Sequence, residues 1–548
     1  MQLLRKGEVV KKLFLYALLL FMFSTPAYAS DWYVDNSVGS SGDGSSGSPW
    51  QNLSDIQWGT SCPESKVCPG DTVNISGGAV SQTYNEGLTI GTSGTAGNII
   101  TIKVWDTAGK NGKVIITNTS GYGIVQYKSY ITISGNIGGN RNIQITGCNK
   151  SGIDFGANTQ NAVVEYLEID NNGTAGTSGA DDGITFNFSS SNHASTKLEI
   201  RYCLIHDNWQ DGIHGNGSVD SEYDQILIHH NELYNTYDDG IETGANSISI
   251  YNNIVHGIIS TPAKGAGHPD GLVIMGSYGK IYNNLLYDFY DPLVVGNSNS
   301  MIYYNPGTDA VGETRCCIRI YNNLGYLSTS SARTGDVLRG MEMSFQRQSV
   351  GSTYSSITDI LVANNTFVNM DLNGLSFYLT AANLEIGATV STIYFLNNIV
   401  HNCSRLSGTT NSIELGGALS GSWTIGGYGS GKSIEFDYNV VSPGTQGQSG
   451  VSVKNTVYTY ANFRAANTDP IFLPQANITS GTSDPLLDSN YKLTITSPAK
   501  DIGVSLLSYF TTDILGIIRP QGSAWDIGCF EYTGGFPCTQ GTCSGYFQ

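Results

Sequence analysis

Short apolar runs recur along the chain, each followed by an asparagine and then by a second apolar alternation. "ILIHHNELYN", "ISIYNNIVHG", "KIYNNLLYDF", "IRIYNNLGYL", "ILVANNTFVN", "IYFLNNIVHN" and "IEFDYNVVSP" align on one column: Asn231, Asn253, Asn284, Asn323, Asn365, Asn398 and Asn439. Two earlier members carry Leu167 and Cys203 in that place. The shortest step runs from Asn231 to Asn253, and longer ones such as Asn323 to Asn365 carry loop insertions. Helical periodicity is nearly absent, and Gly, Ser, Thr, Asn and β-branched residues suit strands and turns. One unit of short strands per repeat, with variable loops, predicts an all-β chain wound as a right-handed parallel β-helix, a solenoid with an N-terminal cap and an irregular C-terminal tail. Coils in such a stack lie about 4.8 Å apart, so an alignment column becomes a physical ladder. Stacked asparagines can hydrogen-bond along it, which makes the Asn column scaffold.

A second column is the residue before each Gly-apolar pair: Ser151, Asp182, Asp211, Asp239 and Asp270, then Asp291 (before Pro), Arg339 and Asn373. Three positions later runs a neighbouring column, Asp154, Thr185, His214, Glu242, Val273, Val294 and Glu342. Strand alternation turns Ile or Leu inward and Thr185, His214 and Glu242 outward. Asp181 and Asp238 add carboxylates just upstream. Asp-Gly is a common turn pair, and one such Asp per coil needs no function. Yet this chain uses neutral Asn where it stacks a turn residue. Unit charges about 5 Å apart repel by about 3 kcal/mol per pair at an effective dielectric near 20. An ionised Asp ladder therefore calls for a cation, protonation, alternating orientations or an arginine. Calcium, a hard cation taking six to eight oxygens, is the natural candidate, with Asp182, Asp211, Asp238, Asp239 and Asp270 as ligands.

Composition narrows the partners. The chain has 548 residues and a net charge of −18. Nucleic acid is excluded as a partner, because phosphate binding needs a basic face. Residues 1–29 read as a cleaved secretory signal: basic Arg5, Lys6, Lys11 and Lys12, an apolar run from Leu13 to Phe23, then small Ala27 and Ala29. That run is short for a membrane span and no other segment is long and apolar enough, so no span is expected after cleavage. The expected location is outside the cell, at its surface or in the periplasm. The cap and first coils are assigned to 30–110, the coils to 111–445 and a C-terminal capping region to 446–548. Closed caps leave a monomer. Export permits disulfides. Cys62 with Cys68, and Cys538 with Cys543, read as local staples, whereas adjacent Cys316 and Cys317 are not expected to pair.

The opening "DWYVDNSVGSSGDGSSGSPWQNLSDI", with "CPGDTVNISGG" and "SGTAGNIITIK", resembles the cap and first coils of secreted members of the parallel β-helix superfamily. That superfamily includes pectate lyases, other polysaccharide lyases, some glycoside hydrolases and phage tailspikes. "YKLTITSPAKDIG" and "DILGIIRPQGSAWDIGCFEY" resemble the tail that follows the coils in many members. "YDDGIETG" and "GHPDGLVIMG" resemble the calcium-binding and catalytic coils of one pectate lyase family. The resemblance implies Asp238 and Asp239 as calcium ligands and a polysaccharide rich in uronate as substrate. It also implies a lysine base where this chain has Val273. His268, Lys264, Lys280 and Arg339 are the substitutes on offer, although Lys280 opens the next strand and reads first as ordinary surface.

Two other readings stand beside the lyase. A glycoside hydrolase needs paired carboxyl groups, for which Asp211, Asp239, Glu242 and Asp270 are eligible, with His214 as base or orienter. A non-catalytic carbohydrate-binding or surface protein could use exposed tyrosines of "YITISG", "IYNN" and "YLTAANL" for stacking. The candidate catalytic set is His214, Glu242, Asp270, His268 and Lys264.

Overall fold

The computed structural model describes residues 29–59, 65–157, 159–174, 181–188, 197–217, 223–258, 269–289, 298–306, 312–328, 337–345, 353–379, 384–405, 411–415, 425–426, 431, 433–443, 448–453, 456–459 and 484–534. The repeat sets the architecture. A typical coil runs Ile226–His229, turns at Asn231, continues Glu232–Tyr234, turns at Asp239, and closes with Ile241–Thr243. Each segment pairs in parallel with its counterpart one coil away, as Ile226 does with Ile248, Leu233 with Val255, and Ile241 with Leu272. Among the described residues the coils make three sheets of 14, 12 and 13 strands, called here first, second and third in the order a coil visits them. The protein is an all-β parallel β-helix. No described helix is long and apolar enough to cross a membrane.

Period-two alternation fills the lumen. In the third sheet Ile184, Ile213, Ile241, Leu272 and Ile302 are fully buried and stack coil upon coil. The Asn ladder seals the corner between first and second sheets. The Asn231 amide N–H and Nδ2 both donate to Oδ1 of Asn253, at 3.0 and 3.1 Å, and Nδ2 also donates to the Ile200 carbonyl. The pattern repeats through Asn284, Asn323, Asn365 and Asn398 to Asn439. The first Asn of each "NN" pair has a separate task. Asn252, Asn283 and Asn322 sit at φ near 55°, a left-handed conformation that Asn tolerates better than most residues.

Residues 484–534 fold back over this corner. Asn322 donates to the Thr512 carbonyl, Asn364 to those of Asp526 and Gly528, and Asn397 to that of Val504. A fully buried Arg519–Glu531 pair at 2.9 Å anchors the segment.

Two expectations about cysteines meet the structure. Cys68 is disulfide-bonded, and Cys62, Cys538 and Cys543 lie outside the described residues. Cys316 and Cys317 do pair with each other, contrary to the expectation from adjacency. Cys317 takes φ 66°, which breaks strand alternation and lets neighbouring side chains turn together. The leader assigned to 1–29 falls, apart from Ala29, outside the described residues.

Candidate functional site

The Asp-Gly-apolar triplet recurs because the corner between second and third sheets is tight. A Cβ on Gly212 would stand 2.6 Å from the Gly240 carbonyl oxygen and 2.8 Å from a Leu233 methyl. Gly183, Gly240 and Gly271 meet equivalent contacts one coil on, so only glycine fits. The preceding Asp side chains also link the coils. The backbone N–H of Asp211 donates to Oδ1 of Asp182, that of Asp239 to Asp211, and that of Asp270 to Asp239, at 3.2, 2.9 and 2.8 Å. The ladder ends on the N–H of Ser300, which donates to Asp270.

Asparagine at these positions could use both of its polar atoms. An ionised aspartate only accepts, and one oxygen per residue is left over. Asp182 spends its second oxygen on Thr185 Oγ1 at 2.9 Å, and Asp211 on His214 Nδ1 at 3.1 Å. The second oxygens of Asp239 and Asp270 receive no hydrogen bond from the described residues. All four carboxyl groups are at most 6% exposed.

Outward from the ladder runs the column Asp154, Thr185, His214, Glu242, Val273, Tyr303, Glu342. Half-buried Glu242 makes no hydrogen bond to any described residue. Its carboxylate meets those of Asp211 and Asp239, with one oxygen from each lying within 4.8 Å of the others. Asp182, Asp211 and His214 form a second such group. Asp238 is half-buried beside them and belongs to neither triad.

Electrostatics follow from burial. Desolvation pushes Asp211 up to about 8, and neighbouring Asp182, Asp238 and Glu242 add to the rise. Asp239 and Asp270 are held well above the ordinary carboxylate range, chiefly by burial. For Asp239 every further influence is another carboxylate: Asp211, Asp270, Asp238 and Glu242. Burial also raises Asp182 and Glu342. His214 is pushed up to about 9, first by its hydrogen bond to Asp211, and is cationic at neutral pH.

Two placements correct the sequence reading, that of the ladder after Asp270 and that of the "IYNN" tyrosines. The ladder holds four aspartates, not five. Asp291 and Val294 lie outside the described residues, and the register puts Ser300 and Tyr303 in their places, because an insertion over 290–297 shifts the match. Lys280, in line with the ordinary surface role expected for it, is on the first sheet, ion-paired to Asp224 at 2.7 Å and set over the Tyr223 ring. The "IYNN" tyrosines do not offer sugar platforms. Tyr251, Tyr282 and Tyr321 stack face to face at 4.8 and 4.9 Å and consume their own faces, and Phe510 of the tail closes the series. A matching series, His206, Tyr234, His256, Tyr287 and Tyr326, runs on the second sheet.

Arg339 continues the ladder column beyond Ser300 and is paired to Glu342 at 2.9 Å. Val273 does occupy the place beside Glu242, 6% exposed. Lys264 and His268 lie outside the described residues. A third acidic group, Glu168, Asp170 and His206, sits on the second sheet. Lys113, Gln144 and Thr146 already fill its oxygens. Ser300 and Tyr303 escaped sequence reasoning, since no glycine marks their turn. The available signal was the alternation of Ile302 and Tyr304.

No protein-family model matches the chain, and no curated protein matches it. Among solved structures the fold is similar to pectate lyase Pel9A, at 15% identity and TM-score 0.47, covering 93% of this chain and 98% of that one. It is similar to an alginate lyase from Paenibacillus sp. str. FPU-7, at 16% identity and TM-score 0.36, covering 55% and 95%. It is also similar to a GH136 lacto-N-biosidase from Eubacterium ramulus, at 13% identity and TM-score 0.39, covering 66% of each. These likenesses concern the course of the chain; the chemistry rests on the side chains of the third sheet.

Proposed function

We propose that this protein is a secreted, monomeric enzyme acting on polysaccharide, and that it cleaves uronate-containing chains by calcium-assisted elimination on the outer face of the third sheet. The observation that carries the reading is the convergence of Asp211, Asp239 and Glu242, with Glu242 and one oxygen of Asp239 unspent. The donors are all oxygen, and the buried charge has no cationic side chain at Asp239, which fits a hard divalent cation. Calcium held there supplies charge neutralisation to a substrate carboxylate and acidifies the adjacent C–H.

The chain's own residues divide the remaining work. Asp182 stays with Thr185 and braces the turn. Asp211 orients His214, whose imidazolium lies one coil from Glu242 and is placed to give a proton to a departing sugar oxygen. Among the described residues no ordinary base faces the site: Val273 is apolar, His214 is protonated, and Arg339 is paired with Glu342. The proton acceptor is therefore sought in Lys264 and His268, just upstream of Asp270.

A glycoside hydrolase is the second reading, favoured by the raised carboxyl groups of Asp211 and Asp270, either of which would serve as a general acid. The test is calorimetric titration of calcium into chelator-treated protein, followed by absorbance of unsaturated uronate with polygalacturonate and with alginate. Calcium binding with growth of absorbance supports elimination. New reducing ends without absorbance support hydrolysis. Absence of calcium binding refutes the cation site.

A further inference from the structure

Among the described residues the acidic face has cations at both ends and one within it, and they differ in one respect. His214 is tied to Asp211 at 3.1 Å and Arg339 to Glu342 at 2.9 Å. Lys150, at the N-terminal end, forms no ion pair with any described residue. It immediately precedes Ser151, the first polar rung above Asp182. Its Nζ lies over the ring of Tyr122, 4.8 Å from the centroid. Tyr122 occupies the same column one coil earlier, since the Gly123 N–H donates to Ser151 and the Gly152 N–H to Asp182. An aromatic face holds an ammonium in place without neutralising it. The backbone at Lys150 is pinned on both sides: its N–H donates to Gly121, and its carbonyl accepts from Gly173. Asp154 on the same face is raised by burial, takes a hydrogen bond from Tyr127 Oη at 2.5 Å, and feels the charge of Lys150 without forming an ion pair with it.

We propose that Lys150, seated on Tyr122, is a positioning residue that binds a carboxylate of the polysaccharide at a subsite remote from the bond being cut. The inference rests on the proposed function and adds the requirement of a polyanionic chain lying along the coil axis. Ser151 is two coils from Asp211, so Lys150 is about 10 Å from the cation triad along the axis, a few sugar residues away. An acidic face repels a polyuronate, and a bound cation and a lysine outside any ion pair are points that attract it. Two such points, at separate coils, fix the register of the chain.

Steady-state kinetics on polygalacturonate and alginate test this with Lys150→Met, which keeps length and loses charge, and Lys150→Arg, which keeps charge. With whichever polymer the unmodified protein cleaves, Lys150→Met is expected to raise KM about five- to tenfold with kcat within about twofold. Lys150→Arg is expected to stay near the parent. The Met gap should shrink in part as salt is raised, because the charge of half-buried Lys150 is partly screened. Thermal midpoints of both variants confirm that they fold. An unchanged KM in Lys150→Met, or equal losses in Met and Arg, overturns the inference while leaving the proposed function intact. A parent protein that neither binds nor cleaves either polymer overturns the proposed function and this inference with it.

Discussion

Asp239→Asn removes one charge from the ladder without disturbing its hydrogen bonds. The new amide keeps an oxygen for the Asp270 N–H, now 2.8 Å from Oδ1. What it loses is a carboxylate surrounded by Asp211, Asp270, Asp238 and Glu242. An ionised neighbour about 5 Å away costs about 3 kcal/mol at an effective dielectric near 20. The sign follows from proton counts. A carboxyl whose folded pKa is raised binds more protons folded than unfolded, so it weakens the fold as pH rises from the unfolded value towards the folded one. For Asp211 that window runs from 3.8 to about 8; Asp239 shifts in the same direction. His214 stabilises in the opposite sense: its contribution is full below 6.5 and is lost as pH passes about 9. In chelator at pH 8, Asp239→Asn is therefore expected to unfold at a higher temperature than the parent, by the equivalent of about 1–3 kcal/mol. At pH 5 the gap should close. In calcium the order should reverse, because the parent gains about 2.7 kcal/mol at a hundredfold excess over Kd and the variant, short of a ligand, gains little. Circular dichroism melts in chelator and in calcium at both pH values provide the readout. The same rank order in both media, or a variant destabilised in chelator, would refute the cation reading.

Glu242→Gln should weaken calcium binding in a titration yet leave the chelated protein within about 0.5 kcal/mol of the parent, because Glu242 bonds to no described residue. Gly212→Ala should cost about 2–3 kcal/mol in denaturant unfolding, since its Cβ would press on the Gly240 carbonyl at 2.6 Å. Asn323→Ala breaks the ladder mid-stack, leaving the Asn284 N–H and Nδ2 without their acceptor and the Asn365 Oδ1 without the Asn323 Nδ2 donor, and should cost about 3–5 kcal/mol by the same measurement.

The fold was readable because the repeat prints its own register. Each Asn of the aligned column is buried and bonded to the next, and Leu167 and Cys203 do stand in line with them. The outward direction of His214 and Glu242 followed from alternation alone. Legibility ended where local pattern ended. The column was lost after Asp270 because the next turn uses Ser300-Met301 instead of Asp-Gly, behind an insertion. Cys316 and Cys317 pair because of a left-handed residue that no side-chain pattern announces. Lys280 opens a strand of the first sheet as an ordinary surface lysine, as its place in the sequence suggests. The face-to-face use of the tyrosine rings is a property of stacked coils, invisible within one.

The separation of inward and outward columns has a consequence for how such a surface can change. Asn ladder, glycine corner and lumen residues carry the inter-coil bonds, while Thr185, His214, Glu242, Val273 and Tyr303 occupy one outward place each on successive coils. A replacement at any one of these places rewrites a single rung of the outer face and leaves the rungs above and below in register. Chemistry can thus be revised by point substitution along a line, with chain length free to grow in the loops between lines. The apolar Val273 between Glu242 and Tyr303 is one such rung, and a lysine placed there is a one-residue edit on an intact frame.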